Sequence, residues 1–280
     1  MELSVAAFSA FLFGGALAAG FLGALTGLGG GVVIVPLLTL VFGVNIRYAI
    51  GASLVSVIAT SSGAASAYVR EGFSNIRIGM LLEIATTIGA LIGAYLGGIL
   101  STEVIAVVFG LALVYSAYIS LRARAEHDPI ETSDPLAVKL RLPSHYPVGG
   151  KMVAYGVSRV PAGFGLMGLA GVLSGLLGIG SGAVKVLAMD HVMRLPFKVS
   201  TTTSNFMIGV TAAASAGIYL HRGYIDPVLA MPVVLGVLAG SLLGAKVLAR
   251  SKTRVLRLVF GVVVLALAVE MIFNGATGRI

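Results

Sequence analysis

Two glycine-rich breaks inside long apolar segments constrain this chain most strongly. The first is Gly27–Gly31 (GLGGG), and the second is Gly178–Gly182 (GIGSG), 151 positions later. A helix that restarts after such a break leaves about four backbone N–H groups without intrahelical partners. In lipid those groups must be satisfied within protein or along a cavity. The breaks therefore predict a binding site, with a simple turn or close helix packing as the alternative.

The composition places the breaks in a membrane protein. The chain has 280 residues, of which 58% are hydrophobic and 11% charged, whereas soluble domains carry about 25% charged residues. Apolar runs of membrane-spanning length recur from Leu3 to Ile272, which excludes a large soluble domain. We therefore predict an all-α polytopic integral membrane protein. The predicted segments are 4–26, 30–43, 48–69, 78–99, 104–121, 160–177, 179–193, 199–220, 227–249 and 255–273.

Two of these segments are too short for a simple crossing. Segments 30–43 and 179–193 would extend about 21–23 Å as helices, less than the roughly 30 Å hydrocarbon core. They are either tilted or the returning arms of re-entrant hairpins, so the expected number of membrane helices is about 8–10. The chain contains no cysteine, which excludes disulfides and thiolate metal sites. No residue pattern indicates a cofactor or another metal site.

The two halves of the chain match without a gap at the offset of 151. Glycines and hydroxyl residues hold this register, as in the pairs Ser53/Ser204, Thr60/Thr211, Gly89/Gly240 and Gly93/Gly244. Internal repeats are common in transporters. We predict a first membrane repeat over 1–121, a polar linker over 122–151 and a second membrane repeat over 152–280, each repeat with about five helical elements.

The basic residues predict that the repeats are inverted. If each half crosses the membrane an odd number of times, one side receives 15 of the 19 Lys and Arg residues. The other side receives Arg47, Arg222 and Arg279, and Lys185 lies within the membrane. Lys and Arg mark cytoplasmic loops, so the linker is expected in the cytoplasm and both termini outside. The net charge of +8 is then explained by topology, without a nucleic-acid partner.

Several residues around the breaks could bind a small anion. Backbone N–H groups and the positive end of a helix dipole attract anions, and hydroxyl and amide groups donate hydrogen bonds. The same hydroxyls could equally join helices or cap a helix start. The candidate substrate-binding residues are Gly27, Gly29, Gly30, Gly31, Ser53, Gly178, Gly180, Ser181, Gly182, Lys185, Thr201, Thr202, Ser204 and Asn205.

Ionisable residues inside apolar segments are functional candidates by default. Lys185 corresponds to Ile34 in the first half, and a bound anion would relieve its repulsion from a nearby helix N-terminus. A lysine that snorkels to the interface is the alternative. Glu83 and Glu270 lie near predicted segment ends, so we expect them at the membrane interface, with proton coupling as the alternative for Glu83.

Several motifs resemble the sulfite exporter TauE/SafE family of membrane permeases, and the resemblance covers nearly all of the chain outside the linker. The first half contains Gly27–Gly31 followed by Pro36, then 47–54 (RYAIGASL), Gly72 after YVR, and Gly89 with Gly93. The second half repeats them as Gly178–Gly182, 198–205 (KVSTTTSN) and 221–226 (HRGYID). Ser181 replaces the usual third glycine, and Leu187 replaces a proline.

The resemblance implies a permease in a prokaryotic cell membrane that exports a small sulfur-containing anion or organosulfonate. Together with the repeats it predicts alternating access around a midplane site. An anion channel and a permease for another small anion or organic acid are alternatives. A membrane enzyme is disfavoured because no catalytic constellation is present. The expected partners are the anion and the lipid bilayer; a homodimer is left open, and both proton exchange and membrane potential are compatible driving forces.

Overall fold

The structure is a computed structural model of the chain, and it is predominantly helical. It describes residues 5–26, 31–70, 72–121, 132–148, 151–248 and 253–280. Three of the predicted site residues, Gly27, Gly29 and Gly30, lie outside the described residues. Within the described ranges the predicted all-α fold is confirmed.

Helices occupy each of the predicted apolar segments. Those of the first half are α1 (Val5–Thr26), α2 (Gly31–Pro36), α3 (Ile46–Arg70), α4 (Ile76–Ile99) and α5 (Thr102–Leu121). Those of the second half are α7 (Val160–Leu177), α8 (Gly182–Leu187), α9 (Phe197–His221), α10 (Pro227–Leu248) and α11 (Thr253–Ala276). Helices α2 and α8 each continue into a π-helical segment, Leu37–Val41 and Ala188–Val192 respectively.

Four helices of the described chain are long and apolar enough to cross a membrane, judged by length and composition. They contain the spans Ala6–Gly23, Ile76–Ile99, Val160–Leu177 and Pro227–Gly244. Shorter apolar helical stretches occur at Gly31–Val41, Ile46–Ser62, Thr102–Tyr118 and Gly261–Ala276. The chain is therefore a membrane protein, while the total of 8–10 membrane helices stays a prediction.

The secondary structure repeats at the offset found in the sequence. Helices α2 and α8, their π-helical segments, α3 and α9, α4 and α10, and α5 and α11 all begin 151 positions apart. The turns repeat as well: Gly72 and Gly223 have φ values of 75° and 74°. Gly43 has φ of 63° and its counterpart Arg194 has φ of 55°. The two halves are thus built to one plan, element by element.

The packing between the halves follows the same plan. Helix α1 packs against α10 and α7 against α4, while α3 contacts α10 and α9 contacts α4. Helices α3 and α5 pack against their own counterparts, α9 and α11. If each helix is exchanged for its counterpart in the other half, this set of contacts stays the same. Such a set is expected when a two-fold axis relates the two halves. How each half is oriented in the membrane stays a prediction.

Glycines allow the helices of opposite halves to approach closely. A Cβ atom built on Gly89 would lie 2.1 Å from the carbonyl oxygen of Gly168. At the equivalent contact, a Cβ atom on Gly240 would lie 2.0 Å from the carbonyl oxygen of Leu17. Both distances are far below van der Waals contact, so neither position has room for a side chain. Small residues at such crossings are typical of membrane helix pairs.

The linker forms more structure than the exposed connection expected from its sequence. It contains α6 (Pro135–Lys139) and β1 (Ser144–Val148), which pairs antiparallel with β2 (Lys151–Tyr155), with Ser144 opposite Tyr155. The hairpin therefore extends four residues past the predicted end of the linker at 151. The Asn75 side chain joins this hairpin to the start of α4, because its Nδ2 donates to Leu142 O (2.9 Å) and Tyr155 Oη (2.8 Å). The predicted two-repeat division is otherwise compatible with the element order.

Two buried apolar clusters form the core. The larger one joins α1, α2, α3 and α5 to α9, α10 and α11. The smaller one lies between α4, α7 and the π-helical segment after α8, and it includes Leu142 and Tyr155 of the linker. The linker therefore covers one end of the region where α4, α8 and α9 meet, which is the region described next.

Candidate functional site

The second glycine-rich break separates α7 from α8 by a short left-handed turn. Gly178 and Gly180 have φ values of 68° and 71°, a region that glycine enters without strain. Ser181, with φ of 47°, also adopts this conformation although it carries a side chain. The replacement of the usual third glycine by Ser181 therefore does not prevent the break.

The start of α2 lies directly against this turn. A Cβ atom built on Gly31 would lie 3.0 Å from the carbonyl oxygen of Gly178 and 2.8 Å from the Ser53 hydroxyl. Ser53 is fully buried on α3, and its Oγ donates a 2.8 Å hydrogen bond to Gly178 O. The structure thus brings together Gly31, Ser53 and Gly178, three of the predicted site residues.

The break also offers polar groups toward α9 and toward a cavity. Ser204 Oγ donates to Gly182 O at 3.4 Å. Ser181 is 4% exposed, and its hydroxyl has no hydrogen-bond partner among the described residues. A buried hydroxyl without a partner is energetically unfavourable, so the Ser181 Oγ atom is available to a ligand.

A cavity of about 400 Å³ reaches this turn between α5 and α7. Ser181 and Gly182 form its polar end, and Val32 of α2 also lines it. Most of its wall is apolar, with Leu111 on α5 and Leu169 on α7 exposed at its rim. The cavity therefore connects the surface of the helical bundle with the second break.

Lys185 lies on the other side of α8, where it faces α9 and α4. Its side chain is fully buried, and Nζ donates a 2.5 Å hydrogen bond to Thr211 Oγ1. The snorkelling alternative is therefore wrong for Lys185, because its ammonium group ends inside the protein. Its position among the helices agrees with a functional intramembrane cation.

Glu83 of α4 completes a chain of hydrogen bonds with Lys185. Thr211 Oγ1 donates to Glu83 Oε1 at 2.6 Å, and Thr87 Oγ1 donates to the same atom at 3.2 Å. Glu83 is only 7% exposed and is held by α9, so its carboxylate is enclosed by the helices, while its expected position at the membrane interface stays a prediction. Glu270, by contrast, is exposed on α11.

The remaining candidates are less closely associated with the break. The hydroxyls of Thr201 and Thr202 donate to carbonyl groups of their own helix, Phe197 O and Lys198 O, both at 2.9 Å. Asn205 is half-buried on α9. The sequence predicted Lys185 but assigned no site role to Thr211. The signal for Thr211 was its match to Thr60 in the repeat, which did not show that it links two charges.

Similar proteins bear the name of probable membrane transporters. The profile of the sulfite exporter TauE/SafE family matches residues 12–271. The probable membrane transporter protein YunE of Bacillus subtilis (strain 168) is 28% identical over 266 residues, which cover 92% of this chain and 95% of that protein. A probable membrane transporter protein of Xylella fastidiosa (strain 9a5c) is 28% identical over 91% of each chain.

A second Bacillus subtilis relative, the probable membrane transporter protein YdhB, is 29% identical over 81% of this chain and 83% of that protein. No solved structure matches the chain significantly. The family match, over residues 12–271, thus extends over both halves and spans the positions of both breaks.

Proposed function

The chain belongs to the sulfite exporter TauE/SafE family of membrane transporters, and we propose that it exports a small sulfur-containing anion such as sulfite or an organosulfonate. The proposed site lies between the two halves, where the breaks, Ser53, Ser181, Ser204 and Lys185 are found. Transport proceeds by alternating access of this site to the two sides of the membrane.

The observation that carries this proposal is the buried cation at Lys185. A charged group inside a membrane protein is costly unless a counter-charge accompanies it. Lys185 follows Gly182 of the second break by three positions. In the structure Thr211 links Lys185 to the Glu83 carboxylate. In the proposal an anion that enters beside the break takes the place of Glu83 as the counter-charge of Lys185, and neighbouring hydroxyls donate hydrogen bonds to its oxygen atoms.

A difference between the halves supports alternating access. Helices α5 and α7 enclose the cavity that reaches Ser181, whereas α11, the counterpart of α5, packs against α1 and α2. Within the described residues, α5 and α7 are thus packed less closely than their counterparts α11 and α1. In the proposed cycle the two halves exchange these packing arrangements. Helices α11 and α1 move apart while α5 and α7 close the cavity beside Ser181.

The test is anion flux into liposomes that contain the purified protein. The panel is sulfite, thiosulfate and methanesulfonate, each as a radiolabelled anion. The parent protein is expected to carry at least one of them, and Lys185→Met to reduce that flux by at least about tenfold, since removing one buried charge costs several kcal/mol. Lys198→Met is the matched control, because Lys198 is exposed, and it should leave flux nearly unchanged.

Two outcomes would contradict the proposal. If the parent protein carried no anion of the panel under any gradient, the assigned substrate class would be wrong. If Lys185→Met carried the anion as well as the parent, Lys185 would not be its counter-charge. Discrete unitary currents in a planar bilayer would indicate a channel in place of alternating access.

A further inference from the structure

We propose that Glu83 is a proton-binding site that couples proton movement to anion movement, with Thr211 linking it to Lys185. This inference rests on the proposed function, because it takes Lys185 as the counter-charge of the transported anion. It adds a second transported species, the proton, and assigns it a particular carboxylate.

The hydrogen-bond chain joins the two charges through a single hydroxyl. Lys185 Nζ donates to Thr211 Oγ1 at 2.5 Å, and Thr211 Oγ1 can donate its one hydrogen to Glu83 Oε1 at 2.6 Å. The same hydroxyl also lies 2.8 Å from Met207 O. Thr211 therefore has two alternative acceptors, and the ionised carboxylate is the stronger of them.

The second carboxylate oxygen of Glu83 is the atom that receives the proton. Oε2 is buried, and no group in the described part of the chain bonds to it. An ionised oxygen without a donor is unfavourable in an apolar interior. Protonation at Oε2 removes that penalty and leaves Oε1 in place, so that Thr211 can turn its hydrogen toward Met207 O.

The charges around Glu83 leave Lys185 as its principal partner. Helix α7, which packs against α4, contains no titratable residue between Val160 and Leu177. The other titratable or charged residues on the elements packed here are Arg77 and Tyr95 on α4, Lys198, Tyr219 and His221 on α9, and Asp190 and His191 in the π-helical segment. Among the described residues, Lys185 is the charge that a hydrogen-bonded hydroxyl links to Glu83.

Anion binding and proton binding must then favour each other. One buried cation cannot neutralise both the Glu83 carboxylate and an arriving anion. When a proton from water neutralises Glu83, Lys185 becomes free to pair with the anion. When the anion leaves, Glu83 releases the proton and again neutralises Lys185. A monoanion therefore crosses together with one proton and without net charge.

The experiment compares the parent protein with Glu83→Gln in the same liposomes, using methanesulfonate as the first probe because it stays ionised and carries no proton itself. Labelled anion and internal pH are recorded together, for net flux and for anion-for-anion exchange. The parent is expected to move about one proton per anion in net flux. Glu270→Gln, which changes an exposed carboxylate of α11, is the matched control and should behave like the parent.

Glu83→Gln mimics the protonated carboxyl group, so anion exchange should persist within about threefold of the parent and lose its pH dependence. Net flux should fall by at least about tenfold, because the anion-free protein would hold Lys185 without a counter-charge. Proton movement should disappear. In detergent, the parent should also take up about one proton per bound anion, a measurement that needs no variant.

Anion flux in the parent without proton movement would overturn the inference while leaving the proposed function intact. Proton movement that persisted in Glu83→Gln would overturn it as well, by placing the proton elsewhere. If the parent carried no anion of the panel, both the proposed function and this inference would fail. If the parent carries another anion of the panel but not methanesulfonate, the parent and Glu83→Gln are compared with that anion. The same two results would then support or overturn the inference.

Discussion

The two halves of the molecule share one backbone plan but differ in buried charge. In one place the structure joins three polar residues of α8, α9 and α4: Lys185, Thr211 and Glu83. At the positions 151 residues away stand Ile34, Thr60 and Val234. Ile34 is as fully buried as Lys185. Among the described residues, the Thr60 hydroxyl bonds within α3, to Ser56 O and Val57 O.

This difference between the halves distinguishes the residues that maintain the fold from the residues that serve function. The same helices form at the equivalent positions with apolar residues in place of the charges, Ile34 in the first half for Lys185 and Val234 in the second half for Glu83. Buried ion pairs are weak evidence for stability, since apolar replacements of similar volume are often neutral or stabilising. The charges of Glu83 and Lys185 are therefore best explained by function.

Cations outside the core follow the repeat, in contrast to Lys185. Arg47 lies over the Tyr224 ring and Lys198 over the Phe73 ring, each 5.8 Å from the ring centroid. Both the cations and the rings are 151 positions apart. Two equivalent cation–π contacts thus hold equivalent loops, whereas Ile34 and Val234 stand at the positions equivalent to Lys185 and Glu83.

The largest difference between the halves is expected from replacing the paired threonines. Thr211→Val removes the hydroxyl that joins Lys185 to Glu83, and hydrogen bonds to charged groups contribute about 1.5–3 kcal/mol. Anion flux in liposomes should fall by about tenfold or more. Thr60→Val changes the same chemistry at the equivalent position and should leave flux within about twofold. Equal effects of the two substitutions would remove the proposed distinction between the halves.

The close glycine contacts should respond alike in both halves. Gly89→Ala and Gly240→Ala place a methyl group against backbone carbonyl oxygens at nearly the same distance. Each should lower the free energy of unfolding by about 1–3 kcal/mol, the usual penalty of overpacking. Thermal unfolding in detergent measures both variants. If only one of the two substitutions lowered the stability strongly, the two glycine contacts would not be equally important for the fold.

A smaller effect is expected where the start of α2 meets the second break. Ser53→Ala removes the hydrogen bond to Gly178 O and should destabilise the protein by about 0.5–1.5 kcal/mol. Ser56→Ala is the matched control, because Ser56 is also fully buried but bonds to Ala52 O of its own helix. Thermal unfolding in detergent compares the loss of stability in Ser53→Ala with that in Ser56→Ala. An equal or larger loss in Ser56→Ala would contradict a stabilising contact between α3 and the break.

Much of the fold could be predicted from the sequence because its signals are local or periodic. Apolar runs located the helices, and the matched glycines and hydroxyls gave the repeat that the element bounds follow. The breaks were predicted because glycine is the residue that readily adopts positive φ. The hairpin of the linker was not predicted, since its short strands contain Pro147 and few alternating apolar residues.

The polar chain was only partly predictable because it depends on contacts between distant parts of the sequence. Lys185 was recognised as a charge in an apolar segment. Glu83 is buried by groups on α8 and α9, and Thr211 lies 128 positions from it along the chain. No local pattern in a single sequence indicates a contact between two residues so far apart along the chain. Thr201 and Thr202 illustrate the converse, since hydroxyls that look like ligand donors bond to their own helix.

The most direct test of the central claim gives each charged position the residue of its repeat counterpart, Val234 for Glu83 and Ile34 for Lys185. The double substitution Glu83→Val with Lys185→Ile removes both charges together and leaves no charge unpaired. We expect thermal unfolding in detergent close to that of the parent, together with loss of anion flux in liposomes. A double variant that transported like the parent, or that no longer folded, would contradict the claim that these charges serve transport while the shared packing maintains the fold.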